Sequence, residues 1–112
     1  MAQYLLSVYQ PTGGVAPANL DEIMSEVDLV DAAMHEAGVW VFSGGLGSPA
    51  DAVVLRPEGD EVHPSAGTMV EADQILGGFT LIDVPDREAA LGWGSRLARA
   101  TTLPIEVRAL QG

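Results

Sequence analysis

Two helical stretches, each held between strand-like runs, constrain the fold of this chain more than any other feature of its sequence. Residues 3–9 alternate, with Tyr4, Leu6 and Val8 on one face and Leu5, Ser7 and Tyr9 on the other, as a strand sorting its side chains to two faces requires. A Pro/Gly-rich loop at 11–18 follows. Ile23, Val27, Val30 and Met34 then recur at helical spacing and form one stripe. Asn19 is placed to cap this helix, with Glu22 three residues on as its capping-box partner and Asp21 near the positive end. Gly38 is placed to end it. Residues 39–43 read as the strand that completes the first unit.

The second unit repeats the pattern. Residues 78–84 read as a strand, Asp86 as the cap of a helix whose Ala90, Trp93, Leu97 and Ala100 share a face, and 103–110 as a last strand with Ile105 and Val107 on one side. Gly92 and Gly94 each weaken that helix by about 1 kcal/mol relative to Ala, which makes sense where something packs closely against it. Between the units, 52–56 and 61–63 bracket Pro57, Glu58, Gly59 and Asp60 and predict a hairpin.

Two β-α-β units within 112 residues leave room for one domain. They predict a ferredoxin-like α+β fold, an antiparallel sheet with both helices on one face. The other face carries Leu5, Tyr9 and either Trp40 or Val41. A single copy would leave that apolar surface wet, so a homodimer is expected.

Charge narrows the partners. Sixteen acids against five bases give a formal charge of −11, which argues against nucleic acid or an anionic membrane, since both are bound by cationic surfaces. No apolar run approaches the roughly 20 residues of a membrane span, and the first residues lack the basic start and cleavage site of a signal peptide. A cytoplasmic location is the expectation. With no Cys, disulfides, thiolate metal sites and Cys nucleophiles are excluded. The two His have no helical partner that would make a metal pair, no Gly pattern cradles a nucleotide phosphate, and no cofactor is implied.

The candidates for chemistry are therefore few. His63 with Glu71 or Asp73 nearby would serve as a general base, because a carboxylate orients the ring and stabilises its charged form; a surface histidine before Pro64 is the alternative. His35 falls near the end of the first helix, where it meets free carbonyls. Asp83 alternates with Leu81 and Phe79 along a strand and points either to a pocket or to solvent beside Asp86. Arg108 shares a strand face with Glu106 and is suited to a carboxylate ligand or a surface pair. Trp40, Phe42, Tyr4 and Tyr9 are candidates to line an apolar pocket, or are plain core.

Residues 66–79, AGTMVEADQILGGF, carry a loop Gly67, then Glu71, then Leu76, Gly77, Gly78 and Phe79 opening a strand. This order resembles the signature of the YCII-related family, also called the DGPF family. Tyr4-Leu5-Leu6, the run at 41–46, the run at 52–56 and the run at 105–108 also resemble its landmarks, so the likeness spans nearly the whole chain. The Asp, Pro and Phe of the family motif are Ala66, Thr68 and Met69 here. The resemblance implies a ferredoxin-like fold and two subunits facing their sheets together. It implies less about activity: many members have no established reaction, some accompany sigma-factor systems, and a few act on ring-cleavage compounds through a His–Asp pair. Ala66 removes the acid that opens the motif. Three readings follow: a homodimer binding a small molecule in its cleft, a lyase or isomerase using His63, or an acidic interaction partner of a regulatory system.

Overall fold

β1 (Ala2–Pro11) is the hub of the fold because it is paired along both edges. It runs antiparallel to β5 (Gln74–Val84) on one side and to β6 (Ile105–Ala109) on the other, and β2 (Trp40–Gly45) pairs with the far edge of β5. The sheet order is β2-β5-β1-β6, with α1 (Leu20–Glu36) and α2 (Arg87–Thr101) as the helical layer. This is an α+β arrangement compatible with a ferredoxin-like fold. β3 (Val53–Glu58) and β4 (Glu61–Ala66) form a separate two-stranded ribbon. The computed structural model describes residues 1–12, 17–70 and 72–112; the middle of the loop expected at 11–18, and Glu71, lie outside them.

The core lies between the sheet and the helices. Leu6, Ile82 and Val84 are fully buried against Val30 and Met34 of α1 and Ala90, Leu97 and Ala100 of α2. Each large side chain of this set contributes about 1.5–3 kcal/mol by leaving water. The helical stripes are therefore the ones the spacing predicts, but Trp93 of α2 packs on the core only partly buried, and α1 departs from its stripe as well. Ile23 and Val27 are only partly buried, because the first half of α1 stands off the sheet over a cavity of about 470 Å³ that it shares with Gly45, Gly77 and Gly78.

Helix ends follow local chemistry. The Gly38 N–H donates to the His35 carbonyl and the Val39 N–H to that of Met34, with Gly38 at φ +74°, the paired bonds of a glycine-terminated helix. Asp86 Oδ1 accepts from the Ala89 N–H at 2.9 Å. The capping box at the start of α1 does not form: Asn19 makes no side-chain cap bond, and its φ of −101° and ψ of 33° depart from the extended capping geometry.

Strand lengths also differ from expectation. β5 begins at Gln74, four residues before the expected Gly78, since β1 continues past a bulge at Val8/Tyr9 and pairs as far as Pro11↔Gln74. The two helix glycines separate. A Cβ on Gly94 would lie 2.8 Å from Val107 Cγ2, whereas one on Gly92 would meet nothing within 4 Å. Close packing thus explains Gly94 and leaves Gly92 without a structural reason. Replacing Gly94 with Ala is expected to destabilise by about 1–3 kcal/mol through overpacking against a stiff β-branched neighbour. Gly92→Ala should instead stabilise by about 0.5–1 kcal/mol. Urea melts of the two variants check this, and shifts of the same sign would contradict it. Among the described residues, no helix is long and apolar enough to cross a membrane.

Candidate functional site

The alternation that buries Leu6, Ile82 and Val84 turns their neighbours to the helix-free face. Register sets these out in rows. Leu5 stands between Arg108 on β6 and Leu81 on β5, and Leu81 pairs onward with Phe42 on β2. One row along, Ser7 stands between Glu106 and Phe79; on the other side, Gln3 stands opposite Asp83. The face is apolar in its middle and charged at the β6 edge. The rings of Phe42 and Phe79 meet with centroids 5.9 Å apart, yet Phe42 remains 55% exposed.

At one end of this face lies a pocket of about 600 Å³. Tyr9 and Leu76, paired across β1 and β5, form one wall. Leu46 beyond β2, Val53 and Val54 at the base of the ribbon, and Met69 and Val70 of the connecting loop form much of the remainder, with Thr68 and Gln74 as polar members. The loop is tied to the ribbon base by the Gly67 N–H, which donates to the Ala52 carbonyl at 2.8 Å. Gly67 holds φ +101°, a conformation that disfavours any side chain with a Cβ. The volume falls in the range of small-molecule sites, about 300–1,000 Å³.

The four residues expected to bind a ligand do not converge. Tyr9 lines the pocket. Asp83 lies on the same face near the far end of β1, opposite Gln3, about 20 Å from Tyr9 at strand rise. Arg108 lies on the same face at the β6 edge, and no ion pair joins it to Glu106 among the described residues. Trp40 is on the other side of the sheet. It packs against the core and stacks on His35, with centroids 4.1 Å apart, while its indole N–H donates to Ser43 Oγ at 3.1 Å. A bulge between Trp40 and Phe42 separates the two aromatic residues onto opposite faces, so Trp40 is removed from the cleft.

Asp83 is partly buried, not solvated: its Oδ1 is shut off from water and has no hydrogen-bond partner among the described residues. Such an oxygen costs about 1–3 kcal/mol until something donates to it. His35 sits in the last turn of α1 as expected, 3.6 Å from Asp31 Oδ2.

His63 has carboxylates of its own ribbon beside it. Its Nε2 lies 3.4 Å from Glu61 and 3.6 Å from Glu58, and Asp73 is not within ion-pair distance. Glu71 is outside the described residues. The reason is the hairpin register, which places His63 mid-strand opposite Arg56, on the same face as Glu58 and Glu61. The ring is half exposed and lines neither of the two cavities described. Exposed pairs of this kind are worth little.

None of Leu46, Val53, Met69, Val70 and Leu76 is marked by the sequence as lining a ligand site. Their signal was the alternation that carries Val53 into the ribbon, together with the apolar pair Met69-Val70 inside a glycine-rich loop. Comparison with protein-family models and with curated proteins finds no match.

Proposed function

We propose that the chain acts as a homodimer joined through the helix-free face of its sheet, and that each subunit holds a small apolar molecule in the pocket beside Tyr9. One observation carries the reading: the helix-free face presents the apolar row Leu5, Leu81 and Phe42, with Phe42 55% exposed, and the surface of the whole chain agrees. The chain exposes 7657 Å², against about 5,900 Å² for a folded monomer of its mass. The excess, about 1,800 Å², exceeds the roughly 800 Å² that each partner buries in a stable interface of standard size. A radius of gyration of 16.0 Å, against about 13 Å for a compact domain near this length, supports it. So does the resemblance of residues 66–79 to the YCII-related family, whose subunits face their sheets together. With Ala66 in place of the motif acid and His63 among surface glutamates, binding is the activity these residues support best.

The neutral fluorophore N-phenyl-1-naphthylamine tests the pocket. It is expected to bind at one equivalent per chain and to raise the melting temperature by linkage. Replacing Met69, already 68% exposed and so dispensable for folding, with Glu should weaken it about ten- to a hundredfold. An affinity indifferent to that change, or no binding by the parent protein, would refute the assignment.

A further inference from the structure

The β3–β4 ribbon sorts its side chains by face. Register pairs Val53↔Ala66, Leu55↔Pro64 and Pro57↔Val62, which puts six apolar residues on one side. The other side carries Arg56, His63, Glu58, Glu61 and Ser65, with only Val54 apolar. Such sorting is what a strand pair acquires when one side is covered, yet here the apolar side is left as bare as the polar one. Val53, Leu55 and Val62 are 60%, 64% and 58% exposed. Neither strand packs extensively on any element but the other, and an isolated two-stranded ribbon is at best marginally stable in water.

We propose that this ribbon is an assembly arm whose apolar face lies on a second copy of the chain. The inference rests on the dimer proposed above and adds a second contact to it. Three facts favour a second copy as the occupant. The surface excess is about twice what one standard interface takes from each partner, so the sheet face need not account for all of it. Val53 and Val54, one from each side of the ribbon, both line the pocket at the rim of the sheet face, so the base of the ribbon's apolar face adjoins that surface. The charges of the ribbon lie on its opposite side, so two copies of a chain of charge −11 meet here without opposing carboxylates. In a closed two-fold assembly each arm contributes once, and neither is left over to recruit further copies. The pocket beside Tyr9 then gains its missing side from the same contact, since Met69 and Val70 at its rim are 68% and 65% exposed in one chain.

The chain contains no cysteine, so single introduced thiols read the environment of each ribbon face without background. V62C places a thiol on the apolar face and H63C places one on the polar face, one residue apart. Maleimide labelling of the dimer is expected to be at least about tenfold slower for V62C than for H63C, and the difference should vanish on dilution to monomer. L55C against R56C repeats the comparison on the other strand and serves should V62C misfold. Equal rates within a species whose solution mass is that of a dimer overturn the arm and leave the sheet-face dimer standing. A parent protein that is a monomer at all concentrations overturns both.

Discussion

Glutamate in place of Leu81 is expected to yield a folded monomer. Leu81 lies at the centre of the helix-free face, between Leu5 and Phe42, while the fully buried residues of the core lie on the other side of the sheet. The substitution therefore spares the packing that holds the domain together and strikes the surface that a second sheet would cover. An unpaired carboxylate buried in an apolar interface costs several kcal/mol, and a two-fold axis places one in each half. At about 2–4 kcal/mol for each copy, the dissociation constant should rise at least about a thousandfold. Sedimentation velocity over a concentration series reads the mass, and an unchanged far-UV circular dichroism spectrum shows that the domain still folds. Leu91→Glu is the control: Leu91 is exposed on α2, in the opposite layer, and a carboxylate there should leave the mass as it was. L81E protein that sediments with the same mass as a dimeric parent would remove the sheet face as the proposed interface.

What the sequence discloses and what it hides divide along physical lines. Gly38 and Asp86 end and begin their helices as expected because each acts through bonds to residues within five positions. Val30, Met34, Leu97 and Ala100 are buried as their spacing predicts, since helical period alone sets which side they take. Trp40 was ambiguous for the opposite reason. A single extra residue in β2 exchanges the faces of everything beyond it, and no propensity marks where a bulge falls. Gly92 and Gly94 look alike in the sequence, and only the approach of Val107 from β6 tells them apart. His63 has two acids close in sequence on its own ribbon and two others across the loop at 71 and 73. Pairing register, invisible until the turn at Gly59 and Asp60 is known to be two residues long, brings it to Glu58 and Glu61. The ribbon's amphipathic order was present in the letters, but Pro57 and Pro64 disguised it. Proline argues against a strand within a sheet, whereas in a ribbon of two edge strands it is tolerated. The pocket was the least legible part, because it joins β1, β5, the end of β2, the ribbon and a loop, and no window of sequence contains more than a fraction of it.

Alanine in place of Leu6 should have the opposite consequence to the change at position 81. Leu6 is fully buried on the central strand, with Thr80 beside it on β5 and Val107 on β6. Above it the helix comes close, since a Cβ on Gly94 would stand 3.9 Å from Leu6 Cδ2. Rigid neighbours on three sides leave little scope for collapse into the space that truncation opens, so a loss in the usual range for such changes, about 3–5 kcal/mol, is expected. A domain of this size holds only about 5–15 kcal/mol in total, and the melting temperature should fall by about 12–30 °C. The dependence on concentration separates this effect from the loss of assembly. Where unfolding is coupled to dissociation, the melting temperature rises with protein concentration. The L6A protein should melt lower than the parent by a similar interval at every concentration, keeping that slope, because the proposed interface is untouched. The L81E protein should lose the slope, its melting temperature being that of an isolated subunit with a wet sheet face. If L6A also abolished the slope, the core and the interface would be one cooperative unit, and the sheet face would serve as part of the folding core instead of as a surface joined after folding.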